Sequence, residues 1–567
     1  MAACTKRWCE NFGARVSEFP DLYNGFGHAS GKSRRERCQC RACGTTFSRG
    51  VVKTYQQKKY VNPFILAEVV NGSSVQAITR KKPGITPRLF YDRLKFIHRR
   101  MLAFEAHRIE ALKTLRTRHF SIATDFQDYI VNWPTKDDRR TTQLTAIGSA
   151  DNLSGFVFAL DLAYDPSIEP WDRFKADLEA GDLNKHPAHW RINRFRLPEF
   201  LTTAEAAHQA AIDAEYEKAE KEERKAEKRR KKAGDGGDAS SGSISPEGHR
   251  KTAERSEKAR VAILKLMSES AATMRALEAV RQIIDTMNLQ RFNAAEFGPP
   301  TKGALVDKTY TAFGHYAYLD RILPDKAFLM LFIDDDGSSR AAALTMLAQR
   351  FKARRASLSV VKIAKEMTND QRTAASAMSG KAYKAFRDKL GLSKSAMSRR
   401  LFVYMNATEF KVKNNTFPFY QLPVSTKYEP LKSVGIVHMP DFSDEDYGLD
   451  KNDEMFVEIL DRPSLHGIDS FFSLLRERAM YAGRGVSAPG RTSQWYRHHA
   501  YNPAYMHMVL DIMRVYYNWV EPRPRAGAKY YFFESDGEKR TPAQRLGIAK
   551  APVRVETILG SDWEAKL

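Results

Sequence analysis

Residues 328–333 read FLMLFI and run directly into Asp334, Asp335, Asp336 and Gly337. Six consecutive apolar residues without polar alternation describe a strand covered on both faces. Three like charges at its end must be offset by solvent, by basic side chains or by a cation. A chain with this segment needs a sheet flanked by helices, and it delivers acidic groups to one end of that sheet.

The flanking segments extend the pattern. Upstream, HFSIATDFQDYIVNW (119–133) alternates like a strand and puts Asp125 and Gln127 on one face; TTQLTAIGSAD and SGFVFALDLAYD follow across short polar turns such as Asp151-Asn152. A three-stranded meander is expected there. Downstream, SSRAAALTMLAQRF has helical spacing, with Ser338 as the expected N-cap, and SLSVVKIAK (357–365) reads as another strand. The order is β-β-β-α-β-α-β with a long helical insertion in the first α segment. That is the ribonuclease H-like arrangement, an α/β fold with a mixed sheet and flanking helices. In it the first strand lies beside the end of the fourth, so Asp125 and Asp334 would face each other although 209 residues apart.

Two such carboxylates raise each other's pKa, and a pair of Mg²⁺ (or Mn²⁺) ions removes that penalty because hard cations prefer oxygen ligands. Paired metals can then activate a hydroxyl nucleophile and stabilise the leaving oxygen of a phosphodiester. Asp334 is the expected ligand, with Asp335 the alternate if the strand runs one residue longer. Asp336 is assigned to the turn, with Arg340 offsetting its charge. A capped, solvated turn explains one aspartate but not Asp125 inside a strand. Asp161 in FALDLAYD and His315 in AFGHYAYLD are read as structural.

All five cysteines lie in the first 43 residues and the other 524 residues have none. They read C4-x4-C9, then C38-x-C40-x2-C43-G. Such confinement favours a local metal site over disulfides. Two thiolate pairs on two turns close a tetrahedral Zn²⁺ site, with Cys4, Cys9, Cys40 and Cys43 as ligands and Cys38 spare or an alternate for Cys40. Four thiolates leave no open position, so this zinc is structural. The next segment, 63–100, reads as three short helices with turns at Asn71-Gly72 and Pro83-Gly84. The last carries Arg88, Arg93, Lys95, Arg99 and Arg100 beside an apolar stripe, which fits helix-turn-helix DNA binding; a generic three-helix bundle is the alternative. A formal charge of +23 points the same way, towards a polyanionic partner.

The expected organisation is a zinc ribbon (1–50), a helical DNA-binding domain (60–105), the first half of the core (118–200), a charged, low-complexity helical insertion (201–300), and the second half of the core (301–369). An insertion at 370–460, read as a β-rich subdomain, precedes a helical region (461–525) and a tail (526–567). No stretch approaches a membrane span and the first residues lack a signal-peptide core, so the reading is cytoplasmic and without a membrane partner. The aromatics of PAYMHMVLDIMRVYYNWV are read as packing.

Five stretches carry a resemblance: RCQCRACGTTFS (37–48), ATDFQDYIVNW (123–133), YTAFGHYAYLDRILPDKAFLMLFIDDDGSSR (310–340), GIDSFFSLLRER (467–478) and TPAQRLGIA (541–549). In this order the chain resembles bacterial insertion-sequence transposases of the DDE superfamily, the group with an N-terminal zinc ribbon and helix-turn-helix. The resemblance implies a third carboxylate on a later helix. Asp469 heads a Ser-aromatic-aromatic-Ser-Leu-Leu-basic run like that of the relatives, with Arg476 two turns further along the same face to hold DNA phosphate. Glu477 is the alternate, but its own arginine, Arg484, lies beyond Gly483. Asp469 is preferred, which makes the site DDD. The resemblance further implies binding of double-stranded DNA, at element ends and target, by a nucleoid-associated homodimer or larger assembly, with 3′-end cleavage and strand transfer. A non-catalytic regulator derived from a transposase and a ribonuclease H-like nuclease are the alternatives.

Overall fold

A computed structural model of the chain describes most of residues 4–48, then 60–115, 119–132, 140–168, 303–413, most of 415–442, 450–479, 502–523 and 539–560, with a few short pieces between. The insertion at 201–300 and its helical pattern near 255–292 lie outside the described residues, as does 524–538. Two compact units divide the chain, Met1–Asn62 and Pro63–Leu567.

In the first unit β1 (Tyr23–His28), β2 (Glu36–Cys40) and β3 (Thr46–Ser48) form an antiparallel sheet in that order. Its core is Cys4, Cys9, Val16, Tyr23, Cys38 and Cys40, with Leu22 and Phe47 packed against it. Tyr23 and Phe47 meet edge to face at 5.5 Å. Among the described residues, four of the six buried core side chains are cysteines, so a crosslink or a metal would add much to the stability of so small a unit.

The second unit begins within α1 (Val61–Val70), followed by α2 (Val75–Lys81) and α3 (Pro87–Ile109). The hydroxyls of Ser74 and Thr86 cap the last two by accepting from the Ala77 and Leu89 amides. Helix α3 continues well past the expected basic turn, since HRRMLAFEAHRI keeps helical apolar spacing, and this length packs it on the C-terminal helix 503–519. Phe104 meets Trp519 at 5.5 Å and Tyr91 meets Tyr505 at 4.4 Å. Arg514 binds the buried Glu105 at 2.6 Å, and His98 binds Asp511 at 2.7 Å. These helices therefore belong to the larger unit.

The central sheet is built from β4 (His119–Val131), β5 (Thr142–Asp151), β6 (Val157–Leu162), β9 (Phe328–Ile333) and β10 (Ala356–Lys362); a short pair, β7 (Tyr164–Asp165) and β8 (Ala304–Leu305), stands outside it. β4, β5 and β6 form an antiparallel meander, and β9 runs parallel to both β4 and β10. All six residues of β9 are buried, as its unbroken apolar run requires. Two helices, α4 (Lys308–Ile322) and α5 (Gly337–Met346), pack together beside the sheet, and α6 (Ala348–Lys352) leads back into β10.

Two expectations need correction. Asp336, not Ser338, caps α5: its carboxylate accepts from the Ser339 amide at 3.0 Å, so the helix starts two residues earlier and Ser338 falls inside the first turn. The segment 370–460 forms no β-rich subdomain. Its larger part is helical, α7 (Asn369–Leu390), α8 (Ala396–Asn406) and α9 (Asp450–Asp461), while β11 (Thr408–Phe410), β12 (Phe419–Gln421) and β13 (Ser433–His438) join the central sheet. The order is β11-β12-β13-β10-β9-β4-β5-β6, because β10 would otherwise leave an unpaired edge, which β13 covers. Two long helices follow, α10 (His466–Arg478) and α11 (Pro503–Trp519). Among the described residues, no helix is long and apolar enough to cross a membrane.

Candidate active site

The parallel register of β4 and β9 pairs Thr124 with Ile333, so the next residues, Asp125 and Asp334, stand level on neighbouring strands. β9 stops at Ile333, and Asp334 therefore leaves the sheet beside Asp125, with Asp335 a residue further out. The third aspartate arrives on α10, which packs across β4 and β5. Two glycines allow that approach. Gly148 is the cross-strand partner of Asp125, and a Cβ there would lie 2.7 Å from Ile468 Cδ1 and 3.0 Å from Phe472 Cζ. Gly467 sits as tightly on the β5–β6 turn, where its N–H donates to Asn152 Oδ1 at 2.9 Å. Asn152 Nδ2 in turn donates to the Ser464 carbonyl at 2.9 Å, so one buried amide holds the start of α10. Ile468 and Phe472, pressed onto Gly148, bracket Asp469.

Replacing Gly148 by Val should therefore destabilise the protein by about 1–3 kcal/mol through overpacking. Any reaction needing Asp469 beside Asp125 should fall on the order of 10²-fold, because a displacement near 1 Å has that effect. Unfolding and turnover measured on one preparation check this; a G148V protein with unchanged turnover would show that α10 need not lie this close.

The electrostatics join the three aspartates. Burial first, and then the negative charges of Asp469 and Asp334, together raise the Asp125 carboxyl to about 7 against the opposing Phe126 amide and Lys365. Burial first, helped by Glu429 and Asp334 and opposed by Lys365 and Arg476, raises Asp469 to about 6. Lys365 Nζ lies 3.1 Å from Asp334 Oδ2. Each aspartate of the 334–336 run has its own lysine: Lys362 pairs with Asp335 at 2.7 Å and Lys308 with Asp336 at 2.7 Å. Arg340 lies 3.5 Å from Asp335 rather than beside Asp336, a second correction at this turn. Burial would raise Asp336, but the hydrogen bonds from Lys308 and the Ser339 amide overcome it and hold that carboxyl below the usual range. Asp336 is thus engaged as cap and ion pair, which leaves Asp334 facing Asp125.

Arg476 is exposed and donates to Gln127 Oε1 at 3.2 Å, two residues along β4 from Asp125. Glu477 turns elsewhere, into a cleft of about 270 Å³ that Ser154, Ser470, Tyr517, Arg523 and Arg545 also line. On α3, Arg88, Lys95 and Arg99 are exposed along one side. Arg93 is not with them: five residues from Arg88 it turns to the packed side, is 9% exposed, and burial lowers its pKa. Lys365, Asn152 and Gly148 were not singled out from sequence. Lys365 left a trace there as a lysine at the end of the strand read at 357–365, and Asn152 only as part of the Asp151-Asn152 turn.

The first unit holds a separate centre. Cys4, Cys9, Cys40 and Cys43 place their sulfurs within 4.8 Å of one another, the only such group of ligand atoms among the described residues. Cys4–Cys43 and Cys9–Cys40 Sγ separations are 3.6 and 3.7 Å. Zn–S bonds of about 2.3 Å give a tetrahedral edge near 3.8 Å, so the four thiols fit a zinc-like ion. Gly44, at φ +69°, makes the turn after Cys43, and Asn11 donates to both Cys9 (N–H, 3.4 Å) and Cys40 (Nδ2, 3.4 Å). Cys38 is buried but stands outside the group, on β2 opposite Gly25 and Phe47. Comparisons with family models, with curated proteins and with solved structures returned no match.

Proposed function

We propose that this chain is a DNA transposase whose catalytic residues are Asp125, Asp334 and Asp469. The observation that carries the reading is the levelling of Asp125 and Asp334 on neighbouring parallel strands, with Asp469 electrostatically tied to both. The sheet supports it: an antiparallel meander whose first strand is followed outward by two parallel strands has the ribonuclease H-like order. The carboxylate oxygens are hard donors whose mutual repulsion suits Mg²⁺ or Mn²⁺. Such ions, held by these aspartates, would supply an activated oxygen nucleophile and neutralise charge on the leaving oxygen. Asp125, Asp334 and Asp469 would hold the ions that orient the reacting phosphate, and Arg476 binds a neighbouring phosphate. Arg88, Lys95 and Arg99 on α3 contact duplex DNA, and the ribbon assists in holding element ends. Incubating the protein with the DNA flanking its gene and a divalent cation should release 3′ ends at inverted repeats and join them to a target. Failure to cut any flanking sequence would overturn the reading.

The three lysine–aspartate pairs favour a second reading, a metal-free DNA-binding regulator, since lysines alone balance the run. Replacing Lys365 by Met separates the two. Removing a cation that competes at the site should tighten Mn²⁺ binding about fivefold, the scale of one modest charge interaction. Mn²⁺ titration followed by electron paramagnetic resonance reads this; an unchanged or weaker affinity in K365M counts for the regulator.

The pH dependence has a definite sign. In metal-free protein Asp125 titrates near 7 folded against an ordinary value of 3.8, so the folded state holds its proton more tightly than the unfolded state. Stability should then fall as pH rises from about 4 to about 7 and level off above. Asp125→Asn should remove Asp125's share of that fall, on the order of 2–4 kcal/mol, and leave the smaller share that Asp469 contributes between about pH 4 and 6. Urea unfolding at pH 5 and pH 8 without divalent cation tests this, and an identical pH slope in D125N would refute it.

A further inference from the structure

The insertion that joins the sheet edge also sends out an arm that the site itself does not use. Helix α7 has no buried residue along its 22 positions, and α8 folds back on it. Its inner side is held by the Ser379 hydroxyl, which donates to the Pro423 carbonyl at 2.9 Å, and by Tyr383 and Phe386 against Phe402 at 5.3 and 5.2 Å. The opposite side carries Ala374, Ala377, Lys381, Lys384 and Asp388, all exposed. Between 369 and 413 there are 10 Lys and Arg against 3 Asp and Glu, a surplus of seven positive charges. Some of that surplus is internal: Arg399 and Arg400 pair with Asp461 at 3.8 and 3.2 Å. Six lysines at 381, 384, 389, 394, 411 and 413 are exposed, and none has an acidic partner among the described residues.

The arm starts at the carboxylates. Arg372 Nη2 donates to the Lys365 carbonyl at 2.7 Å and its Nε to the Met367 carbonyl at 2.9 Å, while Thr368 caps α7 in a capping box with Gln371. The residue that pairs with Asp334 is thereby anchored to the first turn of α7. Twenty-two residues at 1.5 Å each carry the helix about 33 Å onward, roughly ten base pairs of duplex at 3.4 Å per step.

We propose that the α7–α8 arm is a docking surface for the phosphate backbone of duplex DNA running away from the cleavage site, an inference that rests on the nucleic-acid reading above. Unpaired lysines beside exposed alanines suit a polyanion of regular charge spacing, recognised by charge. Lys381, Lys384 and Lys389 stand about 18–30 Å along α7 from its first residue and would meet phosphates there without sequence preference. The apolar stripe on α8, Met397, Leu401, Tyr404 and Met405, is exposed and names no occupant of its own.

The test uses the full chain and a random-sequence 30-base-pair duplex, with fluorescence anisotropy across salt concentrations. The variant is K381Q/K384Q/K389Q/K394Q, and K113Q/K326Q serves as a charge-loss comparator at exposed sites off the arm. Circular dichroism establishes that each variant is folded. Each phosphate contact contributes about 0.9 to the slope of log K against log salt, so the arm variant should lose about 2–4 from that slope while the comparator loses less than 1. An unchanged slope in the arm variant overturns the docking surface and leaves the nucleic-acid reading standing. So does a variant that keeps its slope but loses self-association in sedimentation, which would make the arm a protein interface. A wild-type chain that binds no duplex would instead remove the nucleic-acid reading itself, and the arm's role with it.

Discussion

Asp334→Asn should reduce divalent-cation-dependent strand cleavage by 10³-fold or more, on the order seen when a group acting only in the transition state is removed. The substitution keeps shape and removes one negative charge, so the sheet should remain intact. Asp334 leaves β9 immediately after Ile333 and stands level with Asp125, whose pKa is raised by burial first and then by the charges of Asp469 and Asp334. Asp125→Asn and Asp469→Asn should behave alike, whereas Asp335→Asn and Glu477→Gln should stay within about threefold. The reason is positional: Asp335 already faces Lys362, and Glu477 faces the cleft lined by Arg523 and Arg545. Single-turnover cleavage of an end-containing duplex with Mg²⁺, paired with a binding measurement, separates chemistry from association. Cleavage that survives in D334N with binding intact would sink the site.

The second large effect concerns the N-terminal unit. If the four clustered thiols hold an ion, chelating it or replacing Cys40 by Ser should unfold Met1–Asn62 outright, because tetrathiolate binding of a structural ion is worth on the order of 10 kcal/mol in a module this small. The larger unit has its own core around β9 and should keep its separate unfolding transition. Cys38→Ser should cost no more than about 2 kcal/mol, since Cys38 packs on β2 without joining the four clustered thiols. Thiol alkylation followed by mass spectrometry provides the measurement. Cys4, Cys9, Cys40 and Cys43 should react slowly in untreated protein and rapidly after chelation. Equal rates in the two conditions would show that no metal holds them.

Much of this was readable from local pattern. FLMLFI announced a strand buried on both faces, the alternation in 119–133 put Asp125 on one side of another, and the cysteine spacing picked out the four clustered thiols. The turns at Asn71-Gly72 and Pro83-Gly84 also fall between helices where the residue types required them. The reading weakened wherever a side chain's surroundings lay far along the chain. Arg93 looked like its basic neighbours, but five residues on from Arg88 it falls on another side of α3, which the folded chain buries. Strands β11–β13 read as a separate subdomain because nothing local in them states which edge they will pair with.

The sequence by itself determined which segments are strands or helices and which residue types stand at their ends, because periodicity, caps and turn residues act within a few positions. Tertiary structure alone decided how those ends meet. The parallel register of β4 and β9 levels two aspartates 209 residues apart, the missing Cβ of Gly148 lets α10 bring Asp469 rather than Glu477 towards them, and three lysines from different elements share out the aspartate run. Contacts of that kind depend on close packing and charge balance among elements that the chain order keeps apart, and no local pattern records them.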